Sequence, residues 1–120
     1  MARTRTYCDT LTTAQVQAGI TVVDGNPNRT FAVTDAFMVA AGTMTTATGV
    51  KIQDTAGVVA CECGVAGLAD GVLIRAGDTN FTTLTTLGAP LTPGEGIEVV
   101  ADGTIAVTTA ILVCIDYIIT

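Results

Sequence analysis

Ile97-Glu98-Val99-Val100-Ala101-Asp102-Gly103-Thr104-Ile105-Ala106-Val107, which runs on without a proline to Thr120, carries the clearest strand signal in the chain. Apolar residues flank Asp102-Gly103 on both sides, and an Asp-Gly pair between two strands predicts a two-residue hairpin with positive φ at both central positions. Within Thr104–Thr120, Ile105, Val107, Ile111, Val113, Ile115, Tyr117 and Ile119 share one face. Ala106, Thr108, Ala110, Leu112, Cys114, Asp116 and Ile118 share the other. Both rows are largely apolar toward the end, which predicts a central strand or one covered by a partner.

Working back toward the N-terminus, the same alternation recurs between turn formers. Gly88–Gly96 holds Pro90, Pro93 and three glycines and reads as a surface loop. Val72–Arg75 and Asn80–Leu84 are short strand candidates around Ala76-Gly77-Asp78. Val50–Gln53 and Val58–Cys63 flank Asp54-Thr55-Ala56-Gly57, a four-residue hairpin loop. In Phe31–Ala41, Phe31, Val33, Phe37 and Val39 are expected on one face, with Phe31 and Phe37 in the core and Thr34 and Met38 opposite. Asp35 interrupts that row and predicts a bulge or an exposed edge. Ile20–Val23 is a brief strand closed by Asp24-Gly25-Asn26-Pro27-Asn28. Leu11–Gly19 is the one helical passage, with Thr12 and Gln15 at capping-box spacing and Gly19 as a left-handed stop. About eight strands with turn chemistry between them predict an all-β chain, an antiparallel sandwich or barrel.

Composition narrows the function. The chain of 120 residues has no histidine, serine or tryptophan but 23 threonines. Acid–base and nucleophilic catalysis draw heavily on two of the missing types, so no catalytic residues are expected, and no enzyme. Hydrophobic residues make up 49% and charged ones 13%, a balance that excludes disorder and favours an exterior partly covered by other subunits. Net charge is −6, unevenly spread: Met1–Cys8 carries +2 through Arg3 and Arg5, and residues 9–120 carry −8. Five basic residues are too few for nucleic-acid binding. No apolar stretch is long enough for a membrane-spanning helix or resembles a secretory signal. Residues 1–10 are expected as an extended N-terminal arm, with 11–120 as a single sandwich domain. Arg3, Arg5 and Tyr7 are the candidates for contact with a neighbour.

Four cysteines, Cys8, Cys61, Cys63 and Cys114, read as small buried hydrophobes. Cys61-Glu62-Cys63 puts two thiols on one strand face but lacks the turn spacing of a zinc site, so no metal is expected. The acids sit on scattered loops and suggest no calcium site, and the glycines form no phosphate loop. No cofactor is expected.

Leu11-Thr12-Thr13-Ala14-Gln15-Val16 ahead of a short strand, then Thr/Ala/Val/Gly-rich strands and a long C-terminal strand, resembles small jelly-roll virion proteins of tailed phages. The resemblance covers residues 11–119. It implies a jelly-roll β-sandwich that forms a homotrimer and decorates the capsid as a cement protein, binding between major capsid proteins. Related modules of head and tail fibres bind receptors or glycans, the alternative role. Residence on the capsid surface of a virion after synthesis in a host cytoplasm follows, with itself and the major capsid protein as partners. The resemblance brings no catalytic residues, and the four cysteines depart from it. On this reading residues 2–8 are a tether whose deletion leaves a folded body.

Overall fold

Threonine, valine and isoleucine prefer pleated backbone because their branched Cβ packs well against neighbours on a sheet, and the chain follows that preference. In the computed structural model, which describes residues 3–41, 47–63, 71, 73–75, 81–82, 88–103 and 110–120, the described residues form nine strands and one helix. These are β1 (Arg3–Thr12), α1 (Thr13–Ala18), β2 (Ile20–Val23), β3 (Phe31–Ala41), β4 (Ala47–Asp54) and β5 (Val59–Cys63). β6 (Leu73–Arg75), β7 (Phe81–Thr82), β8 (Ile97–Gly103) and β9 (Ala110–Ile119) complete the order.

Two sheets result, ordered β1-β9-β3-β6 and β2-β8-β4-β5-β7. The pairings are nested: β1 with β9, β2 with β8, β3 with β6 and β4 with β5, all antiparallel. That is one long hairpin with its tip at residues 54–57, rolled so that successive pairs fall in alternate sheets. Such a rolled hairpin is a jelly roll, and the sandwich expectation holds. β7 is an addition, two residues along the free side of β5.

The expected hairpin at Asp102-Gly103 does not form. β8 pairs with β2 and β4, and β9 pairs with β1 and β3. Asp102 and Gly103 belong to β8, where they oppose Gly49 and Ala47, and residues 104–109 lie outside the described residues. Each of the two strands has both its edges taken by earlier strands, so the short-range turn preference is overridden. β9 is central, as its two apolar rows predict.

The bulge expected at Asp35 is present: the β3–β9 register shifts between Val33 and Asp35. It also corrects the assignment of faces. One extra residue reverses the parity, so Phe31 and Val33 are buried before it, and Ala36, Met38 and Ala40 after it. Met38 therefore enters the core, while Phe37, expected there, is half-buried on the outer face.

The tip hairpin forms as predicted. Gly57 takes φ 96, its N–H donates to the Asp54 carbonyl at 3.0 Å, and the Asp54 N–H donates to the Val58 carbonyl at 2.9 Å. The helix is capped as predicted. Thr12 Oγ1 accepts from Gln15 N–H at 3.1 Å, and Gln15 Oε1 accepts from Thr12 N–H at 2.9 Å. Val16, with 0% exposure, anchors the single turn in the core, and Gly19 ends it at φ 86.

Between the sheets lie Val33 and Met38 of β3, Val50 and Ile52 of β4, Ile97 and Val99 of β8, and Ile111, Val113 and Ile115 of β9. Residues 3–10, expected as an extended arm beside a domain of residues 11–120, belong to β1. They run beside β9 in unbroken register from Arg3–Ile119 to Thr12–Ala110, as the outer strand of the four-stranded sheet.

Candidate functional site

Alternation along β1 sends Leu11 into the core and turns Tyr7 against it. Arg5 and Arg3 follow on the same face, toward the open end of the sandwich. Their cross-strand neighbours are Ile115 for Tyr7, Tyr117 for Arg5 and Ile119 for Arg3. Arg5 lines a cleft of about 360 Å³ together with Asp24, Asn26, Arg29 and Tyr117. Arg3 lines an adjoining cleft of about 260 Å³ with Asn28, Arg29 and Thr120. Arg29 belongs to both, so three of the five basic residues converge on one end of an acidic molecule.

The wall opposite β1 is held by backbone contacts. Arg29 N–H donates to the Asn26 carbonyl at 3.0 Å, and Asn28 N–H to Asn26 Oδ1 at 2.9 Å. Thr30 and Thr120 exchange backbone hydrogen bonds at 3.2 and 2.9 Å. Gly94 N–H donates to the Arg29 carbonyl at 2.9 Å. A Cβ on Gly96 would overlap the Val23 carbonyl oxygen, and one on Gly25 would overlap the Gly94 carbonyl oxygen. The two turns thus rest backbone on backbone, an approach open only to glycine.

Guanidinium forks match carboxylates in geometry and charge, and among the described residues lining these clefts Asp24 is the single acidic side chain. Phe31 and Tyr117 stack edge-to-face within the larger cleft, ring centroids 5.6 Å apart. The site is suited to receive an acidic or carboxylate-bearing surface. Of the sequence candidates, Arg3 and Arg5 are brought together here. Tyr7 is not: it lies further along β1, half-buried, its hydroxyl pKa raised by burial and by the nearby Asp9. Arg29, Asn26 and Asn28 escaped the sequence reading, because no local pattern links the 24–30 turn to an N-terminal strand.

The four cysteines divide between the sheets. Cys8 and Cys114 are direct neighbours on β1 and β9 and form a disulfide, which corrects the expectation of free thiols for this pair. Cys61 and Cys63 are thiols buried in the five-stranded sheet, as expected. Burial, with Cys63 and Asp35 nearby, pushes the Cys61 thiol up to about 12, so it holds its proton at neutral pH. A thiol enzyme needs the thiolate. We expect neither Cys61 nor Cys63 to be alkylated in the native protein within the time that labels both after unfolding, read by intact mass. Fast native labelling at either position would point to a reactive thiol.

The fold class is thus a jelly-roll β-sandwich. No protein-family model matches the sequence, and no curated protein matches it either. Among solved structures, a chain of the cyanophage Pam1 capsid asymmetric unit is similar, with a TM-score of 0.51 and 13% identity over 97% of this chain and 80% of that one. A chain of the extra small virus particle of the prawn Macrobrachium rosenbergii matches with a TM-score of 0.36 and 8% identity, covering 97% and 79% of the two chains. A carbohydrate esterase of Cellvibrio japonicus matches with a TM-score of 0.32 and 11% identity, covering 97% and 33%. The first likeness supports the fold, and the two looser ones carry no argument.

Proposed function

We propose that the chain is a non-enzymatic structural protein of a virus particle, a capsid decoration (cement) subunit of the tailed-phage kind that binds between major capsid proteins. The observation that carries this reading is the outer face of the four-stranded sheet. Phe37, Val39 and Leu112 are partly buried there, and Leu73, paired with Val39, is 53% exposed. A solitary sandwich turns polar residues outward, whereas a subunit covered by its neighbours can keep such a face apolar. The resemblance implies a trimer, and this face suits burial between copies. The arginine-lined end then meets an acidic patch of the shell. A small chain within a cyanophage capsid asymmetric unit shares the fold over nearly the whole of this length, in accord with a place on a virion surface.

Co-sedimentation with emptied heads of the phage that carries the protein tests the shell contact. Arg5→Glu with Arg29→Glu is expected to lower shell occupancy about tenfold or more, since each reversal turns attraction into repulsion at a desolvated contact. Lys51→Gln, on β4 away from this end, is the control. Occupancy unchanged by the double reversal would remove the arginine end from the contact. The alternative, a receptor- or glycan-binding fibre module, draws on Tyr117 beside Asn26 in the larger cleft. Selective binding on a glycan array, abolished by Tyr117→Ala, would favour it.

A further inference from the structure

Among the described residues β1 is the outer strand of its sheet, with β9 as its one partner, and we infer that its other edge is a self-association surface. The β1 strands of two copies pair antiparallel about a two-fold axis at Thr6, joining two four-stranded sheets into one continuous sheet.

The orientation of the backbone groups supports this first. In an antiparallel pair, residues alternate between those bonded to the partner strand and those whose N–H and C=O point away from it. Cys8 and Cys114 have Cα atoms 4.1 Å apart, the close spacing of a non-bonded pair. Thr10 N–H is taken by Asp9 Oδ1 at 2.8 Å, and Thr12 N–H by Gln15 Oε1 at 2.9 Å. Both bonds require even-numbered residues to face away from β9. Asp9 and Gln15 therefore close the far end of the edge, while Thr4, Thr6 and Cys8 offer their N–H and C=O groups outward.

The edge also lacks most of the usual defences, the charges of Arg3, Arg5 and Asp9 apart. Bulges, prolines and short length keep exposed edges from pairing. β1 is ten residues long and free of proline, and its register with β9 is unbroken. The β2–β8, β3–β9, β4–β5 and β4–β8 pairings all carry a register shift. The Cys8–Cys114 bridge and the Thr6 Oγ1 to Asp116 Oδ1 bond at 2.6 Å fasten β1 to the central strand, so a partner can load it without peeling it away.

The side chains select a second copy as the occupant. With the axis at Thr6, Thr4 opposes Cys8 of the second copy, and Thr6 opposes itself, so the outward backbone groups meet. The same register sets Arg3 opposite Asp9 of the second copy, twice by symmetry, and Arg5 opposite its Tyr7. Opposite charges across a strand pair attract, and a guanidinium beside a tyrosine ring is favourable. An axis at Arg5 would put Arg5 against itself. An axis at Tyr7 would leave Arg3 against Leu11. Such a contact is isologous and closes at two copies, so it is separate from any three-fold contact.

Sedimentation of the purified chain over a concentration series tests the pairing without any shell, so its outcome is independent of the proposed capsid role. We expect the sedimenting mass to double with concentration, and Thr6→Pro to abolish that doubling while the circular dichroism stays unchanged, because the Thr6 N–H points away from β9 and proline is tolerated at such an edge position. Arg3→Asp is expected to weaken association about tenfold, and the swap Arg3→Asp with Asp9→Arg to restore it to within a few-fold. No doubling at any concentration, a doubling indifferent to Thr6→Pro, or a swap that fails to restore Arg3→Asp would each overturn the proposal.

Discussion

Replacing Asp54 with alanine lowers the unfolding free energy by about 3 kcal/mol, because a buried carboxylate that accepts several N–H groups is worth more than a neutral acceptor. Asp54 has 0% exposure at the tip of the rolled hairpin. Its Oδ1 accepts from Ala56 N–H and Val58 N–H, each at 2.9 Å, and its Oδ2 from Thr92 N–H at 2.9 Å. One side chain thus shapes the turn and pins the 88–96 loop to it. Asparagine keeps the Oδ1 bonds but turns an NH₂ toward Thr92 N–H, so Asp54→Asn should cost about half as much. Burial pushes the Asp54 carboxyl up, yet hydrogen bonds from Thr92, Val58 and Ala56 outweigh it and hold the pKa below the ordinary carboxylate value. A depressed folded pKa gives stability that is present above the unfolded value of about 3.9 and is lost as pH falls through the folded one. Glu62 works the other way: burial and its hydrogen bond with Asp102 raise its pKa. The readout is therefore the gap between wild type and Asp54→Asn in urea midpoints, which should close below about pH 4. A gap that persists unchanged into acid would show that the carboxylate charge is not what holds the loop.

Deleting residues 2–8 is the second large effect, and it separates a dispensable tether from a structural strand. The deletion removes most of β1, the contact of Tyr7 with the core, and the Cys8–Cys114 bridge, whose ends are 106 residues apart. Closing so long a loop stabilises by about 2–4 kcal/mol through the unfolded chain, so Cys8→Ser alone should cost that much. The full deletion should exceed it, at about 5 kcal/mol or more, once the lost strand pairing and apolar burial are added. It also leaves the outer half of β9, with Ile115, Tyr117 and Ile119, as an unpaired hydrophobic edge prone to aggregation. Urea unfolding of the three proteins checks the order. A truncated chain as stable as the full one would make the segment a tether in the functional sense, whatever its pairing.

Much of the molecule was legible because it is local. The capping box at Thr12 and Gln15, the turn at 54–57, the bulge at Asp35 and the inward row of β9 each depend on residues a few positions apart. The candidate site was legible only in half. Arg3 and Arg5 stood out as charge in an acid-free segment, but Arg29 enters their cleft from a turn with no sequence relation to them. Asp54 looked like a turn former, and only the approach of Thr92 makes it a buried hub.

By itself the sequence determined where β2 to β9 lie and how the helix begins and ends, since dihedral preference and side-chain alternation are properties of neighbouring residues, while β1 read only as an extended arm. Only the tertiary structure decided that β8 and β9 part into different sheets, that one bulged residue exchanges Phe37 for Met38 in the core, and that Cys8 meets Cys114. Those outcomes depend on which distant strand occupies each edge, a competition settled by the burial and hydrogen bonding of the whole rolled hairpin and not by any segment of it.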